Sequence, residues 1–60
     1  MNIKAEIEAA ERAIQDAGLS RVEFFKLAEI HHKSWHNWRR GNLPSMKSWL
    51  KVQAALKALR

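Results

Sequence analysis

The sequence contains no cysteine. No disulfide can staple it, and no thiolate can hold a metal. It has one proline, Pro44, and two glycines, Gly18 and Gly41. It therefore lacks both a glycine-rich phosphate loop and a flexible linker. No apolar run is long enough to span a bilayer. Lys4, Glu6 and Glu8 interrupt the N-terminus where a secretory signal needs unbroken apolar residues. The cytoplasm is the simplest location. No segment alternates with period two, so no strand is expected. The most informative absence is that of negative charge: after Glu29 there is no carboxylate side chain to the end of the sequence.

What is present is basic and aromatic. Residues 1–30 hold four basic and six acidic side chains, a balance of −2, whereas residues 31–60 hold seven basic and none acidic, a balance of +7. Together they give the net charge of +5. Such asymmetry points to a polyanionic partner, a nucleic acid or an anionic membrane, met by the second half. The run "EIHHKSWHNWRRGNLPS" concentrates the signal, with two tryptophans and three histidines among its basic residues. Sixty residues make one small domain, for which a core typically yields only about 3–5 kcal/mol of net stability. Three tryptophans strengthen that core, because each buries a large area.

The pattern reads as helices with short punctuation. Ile3, Ile7, Ala10, Ile14 and Ala17 form a helical stripe, with Asn2 as N-cap and Gly18 as stop. The acids of this first helix are expected to face water. Ser20 and Glu23 have capping-box spacing, and Leu19 can staple against Phe24. Gly41-Asn42 breaks a third helix, and Pro44-Ser45 starts a fourth with Ser45 as N-cap. The expectation is four helices, at about residues 3–17, 21–28, 32–39 and 46–59, in one all-α domain spanning 1–60. Met46, Trp49, Leu50, Val52 or Ala54, Leu56 and Leu59 are expected to supply the apolar contacts of the fourth.

The third helix is two-faced. At roughly 100° per residue from His32, His36 falls near 40°, Arg40 near 80°, Lys33 near 100° and Asn37 near 140°. Trp38 and Trp35 fall on the opposite side, near 240° and 300°. The tryptophans are expected to pin the helix to a core while the polar set looks outward. That set suits the DNA major groove. Lys33 can donate to guanine O6 and N7, Asn37 can pair with adenine N6 and N7, and the histidines can meet base edges. Arg39, Arg40 and Asn42, where the chain leaves the groove, are candidates for phosphates. Ser20, Arg21, Ser45 and Lys47 are further candidates, at helix N-termini that offer free N–H groups.

The stretch "LSRVEFFKLAEIHHKSWHNWRRGNLPSMKSWLKVQAAL" resembles the helix-turn-helix core of the phage repressor and Cro-like family. Phe24, Ala28, Ile30, Trp35 and Trp38 stand where that family places apolar residues. Arg40-Gly41 and Pro44-Ser45 match its exit from the recognition helix. With the first helix, the resemblance covers nearly the whole chain. It implies a compact four-helix domain with a central helix-turn-helix, acting in the cytoplasm of a bacterial host cell or at its nucleoid. The second helix of the pair would enter the major groove, and dimers would read half-sites about 34 Å apart. It implies His31, His32, Lys33, His36 and Asn37 as base-facing residues and Arg21, Asn42 and Lys47 as phosphate contacts. Two positions depart from the pattern. A small residue is usual where Phe25 stands, and Phe25 either splays the helix pair or fills space left elsewhere. Glycine is usual where Glu29 stands, so Glu29 either adopts a left-handed conformation at a cost of about 1–2 kcal/mol or the turn differs.

Other readings of the same residues are weaker. His32 and His36 have a spacing that can bind zinc, but no third ligand is evident, so neither metal nor cofactor is expected. Trp35 and Trp38 could stack on single-stranded bases, although helical spacing with Ile30 favours the core. "WHNWRR" also resembles a homeodomain recognition helix, which would run on where Gly41 and Pro44 cut this one short. "SMKSWLKVQAALKALR" alone has the character of a membrane-surface helix, but its apolar face is needed for the core. A chain this short has little room for a ligand cleft, so no enzyme activity and no small-molecule substrate are expected. The partner expected is double-stranded DNA, bound by a homodimer that forms in solution or only on DNA, with Val52, Ala55 and Leu59 as a candidate pairing surface. A protein–protein adaptor on the same fold, such as an anti-repressor or antitoxin-like partner, is the alternative.

Overall fold

The computed structural model of the chain describes residues 2–59. Four helices follow one another: α1 (Ile3–Asp16), α2 (Arg21–Ala28), α3 (His32–Arg39) and α4 (Met46–Ala58). No strand occurs among the described residues. α1 and α4 each stop one residue short of the expected boundary.

Each helix starts on a side chain. Asn2 accepts from the Ala5 N–H at 3.2 Å. The capping box of α2 is closed in both directions, with the Glu23 N–H donating to Ser20 Oγ at 3.1 Å and the Ser20 N–H to Glu23 Oε1 at 3.3 Å. His31 Nδ1 accepts from the Lys33 N–H at 3.1 Å, and Ser45 Oγ from the Ser48 N–H at 3.2 Å. These bonds satisfy backbone donors that no preceding turn can reach.

α1, α2 and α3 stop in the same way. Leu19, Ile30 and Asn42 each donate a backbone bond five residues back, to Ile14, Phe25 and Asn37. The residue before each donor has positive φ: 76° at Gly18, 57° at Glu29 and 106° at Gly41. This is the Schellman closure, which needs a left-handed residue and so favours glycine. Glu29 takes the left-handed option, and the backbone of the turn after α2 is the one glycine would make.

The core is contributed by all four helices. Ile3, Ile7, Ala10 and Ile14 of α1 meet Phe24 and Ala28 of α2, Trp35 and Trp38 of α3, and Trp49, Val52 and Ala55 of α4, all buried. α3 packs mainly on α1, and α2 mainly on α4. A chain of aromatic rings crosses the core. Trp35 lies 5.9 Å from Phe24, 5.5 Å from Phe25 and 5.8 Å from Trp38, and Trp38 lies 6.2 Å from Trp49. Phe25 is half-buried, and its ring fills the space between α2 and α3.

Several sequence assignments change. Ala17 keeps helical backbone as the C-cap of α1 but is exposed, at the open groove between α1 and α4. Met46, Leu50 and Ala54 are exposed too; the core face of α4 runs through Trp49, Val52 and Ala55 instead. Val52 and Ala55 are therefore spent inside the protein and cannot form a pairing surface. Among the acids of α1, Glu6, Glu8 and Asp16 face water, but Glu11 turns inward.

Candidate nucleic-acid interface

α3 presents two chemically distinct faces. Trp35 is 2% exposed and Trp38 5%, whereas His32, Lys33, His36, Asn37 and Arg40 are all exposed. Core packing with period 3.6 sets this division: with both indoles held inside, the intervening positions have to look out. Among the described residues, no hydrogen bond or ion pair engages the side chains of Lys33, His36, Asn37 or Arg40. Their donors and acceptors are available to a partner.

His31 and His32 are arranged differently. His31 is the N-cap, so its Nδ1 is committed to the Lys33 N–H and only Nε2 is left for another contact. Its ring stacks on that of His32, with centroids 4.4 Å apart. The pair forms one edge of the polar face at the start of the helix.

The phosphate candidates fall into three groups. Ser20 and Ser45 spend their hydroxyl oxygens on caps, leaving helix N-termini rather than free side chains. Arg40, Asn42 and Lys47 are exposed. Arg21 and Arg39 converge on a single carboxylate oxygen, Glu11 Oε2, with Arg21 Nη1 at 3.4 Å and Arg39 Nε at 3.7 Å. Trp35 Nε1–H donates to the same oxygen at 3.3 Å.

Glu11 is the residue that sequence reading passes over. Its signal is a break in periodicity: Ile3, Ile7 and Ile14 are apolar, and Glu11 occupies the position between the last two at the edge of their stripe. A carboxylate there needs a donor from the packed side, and the Trp35 indole supplies one. Between α2 and α3 lies an open groove of about 330 Å³ with Arg21, His32, His36 and Arg39 around Phe25 and Trp35. Among the described residues, no three His, Cys, Asp or Glu side chains cluster as metal ligands would. None of the described helices is long and apolar enough to cross a membrane.

The chain matches no protein-family model, and no match to it was found among curated proteins or solved structures.

Proposed function

We propose that this chain is a sequence-specific double-stranded DNA-binding regulator of transcription, with α3 as the recognition helix of a phage repressor or Cro-like helix-turn-helix. The observation that carries the reading is the division of α3. Its two tryptophans are buried while its histidines, lysine and asparagine are exposed. Lys33, His36 and Asn37 are the base-reading set, with His32 and the free edge of His31 beside them. Arg40, Asn42, Lys47 and the capped N-termini of α2 and α4 serve the phosphates. The absence of carboxylates after Glu29 spares this surface repulsion from the duplex. The mode of action is occupancy of a promoter, without chemistry.

One eight-residue helix reads only a few base pairs, so two copies on a pseudo-palindrome are the natural arrangement. With Val52 and Ala55 in the core, a surface that remains open for pairing is the groove between α1 and α4. Ala9, Ala13, Leu56 and Leu59 line it. Met46 and Leu50, 72% and 59% exposed, continue the α4 face through Gln53 at helical spacing. Glu6 and Asp16 stand on the α1 side, and Lys57 follows Gln53 by one turn on the other. These exposed apolar residues are also what favours the adaptor reading, in which they would seat a different protein.

The deciding experiment is selection of bound duplexes from a random pool, followed by titration of the winner. A sequence reader enriches a short motif. Lys33→Ala and Asn37→Ala should each cost about 1–3 kcal/mol on that motif and relax the base choice at one position. An adaptor enriches nothing.

A further inference from the structure

Glu11 has a place in this surface that its charge alone would not suggest. Its carboxylate is set back from solvent, with 24% of the side chain exposed, while the Arg21 and Arg39 side chains in front of it are 57% and 49% exposed. The buried Trp35 indole fixes the oxygen from behind. Each guanidinium spends one nitrogen on Glu11: Nη1 of Arg21 and Nε of Arg39. A guanidinium has five N–H donors, so both retain free ones, and Arg39 keeps both terminal nitrogens. The cluster of one carboxylate and two guanidiniums carries net charge +1. An anion approaching from solvent meets donors first.

We propose that Glu11 is a positioning residue. It holds Arg21, at the start of α2, and Arg39, at the end of α3, as one guanidinium pair aimed at a backbone phosphodiester seated at the groove between the two helices. This rests on the DNA-binding reading above. Exposed ion pairs of this length add little stability, so the effect of the cluster is orientation. The carboxylate fixes the spacing between the backbone contact and the base-reading face of α3, which sets the register of one against the other. His32 and His36 line the same groove and place the seat beside the residues that read bases.

The test is Glu11→Gln. Its amide oxygen still accepts from Trp35, but it no longer attracts the arginines, and the protein gains one unit of net charge. Melting should shift by only a few degrees. Binding to the selected duplex should weaken about tenfold, as expected for losing a charge-assisted hydrogen bond. Binding to random duplex should hold or tighten. Arg39→Ala should weaken selected-duplex binding in the native background and have much less effect beside Glu11→Gln. Equal tightening on both duplexes would show that Glu11 only masks charge, and an undiminished Arg39→Ala effect in the double variant would show that the arginine acts without it; either overturns the proposal. Should Glu11→Gln fail to fold, the cycle between Arg21→Ala and Arg39→Ala serves, since a shared phosphate seat requires coupling and strict additivity excludes it. If the unaltered protein selects no duplex, the DNA-binding reading fails and the role of Glu11 falls with it. If the protein selects a motif and Glu11→Gln leaves the ratio of selected to random binding unchanged, the role of Glu11 alone fails.

Discussion

Two residues bear costs at the ends of helices. Glu29 holds φ 57° and ψ 43° in the turn between α2 and α3, a conformation that costs a side-chain-bearing residue about 1–2 kcal/mol. Its carboxylate also stands at a helix C-terminus, where the dipole disfavours negative charge. Glu29→Gly should raise stability by about 0.5–1 kcal/mol after the greater freedom of glycine in the unfolded chain is subtracted. For a domain this small that is a rise of about 3–8 °C in the melting temperature, and a melt that stays put or falls would refute it. His31 is the second case. Imidazole is a rare cap, and aspartate is among the best. His31→Asp should stabilise α3 by up to about 1 kcal/mol while placing a carboxylate on the face proposed for DNA. Thermal melting and duplex anisotropy should therefore move in opposite directions, the protein melting higher and binding less tightly. Movement in the same direction would remove His31 from that face.

Helix placement was legible in the sequence because caps, stops and apolar periodicity agree. Asn2, Ser20, Ser45, Gly18 and Gly41 mark boundaries by local chemistry, and that chemistry is the one the structure uses. The division of α3 was equally legible, since an eight-residue helix with two tryptophans three apart has one way to bury both. What the sequence could not supply was the neighbour across each helix. Met46 and Leu50 fit an apolar stripe on α4 as well as Val52 and Ala55 do, and only the positions of α1 and α2 decide between them. Glu11 is hidden for the same reason, because its partners Arg21, Trp35 and Arg39 all lie ten or more residues away along the chain. The tryptophans yield a test at this scale. Trp35→Ala should cost about 3–5 kcal/mol, comparable to the entire net stability expected of such a domain, and should leave it unfolded by circular dichroism at room temperature. A folded variant that merely loses DNA binding would mean that the indole reads bases and does not anchor the helix.

Considered whole, the molecule has a basic surface free of acids along α3 and its exit, and a second, mixed apolar and charged surface along α1 and α4. Cations without acids line α3 and its exit, while Met46 and Leu50 are exposed on α4 at helical spacing with Gln53 of the α1–α4 groove. A regulator that reads DNA with one face and pairs with another needs this separation, since a pairing surface within the cationic face would be blocked by the duplex. The two faces should then be separable by mutation and by salt. A copy making about six phosphate contacts should lose affinity with a log–log salt slope near −5, and two copies on one palindrome near twice that. Leu50→Lys places a charge on an exposed position of the proposed pairing face and disturbs no buried residue. It should leave the melt and the single half-site titration nearly unchanged, abolish the cooperative step on the palindrome, and return the slope to the single-copy value. If Leu50→Lys binds the palindrome as the unaltered protein does, the α1–α4 groove is not where two copies meet. If the slope is shallow for both proteins, phosphate contacts are too few for the charge of the second half to be serving a duplex.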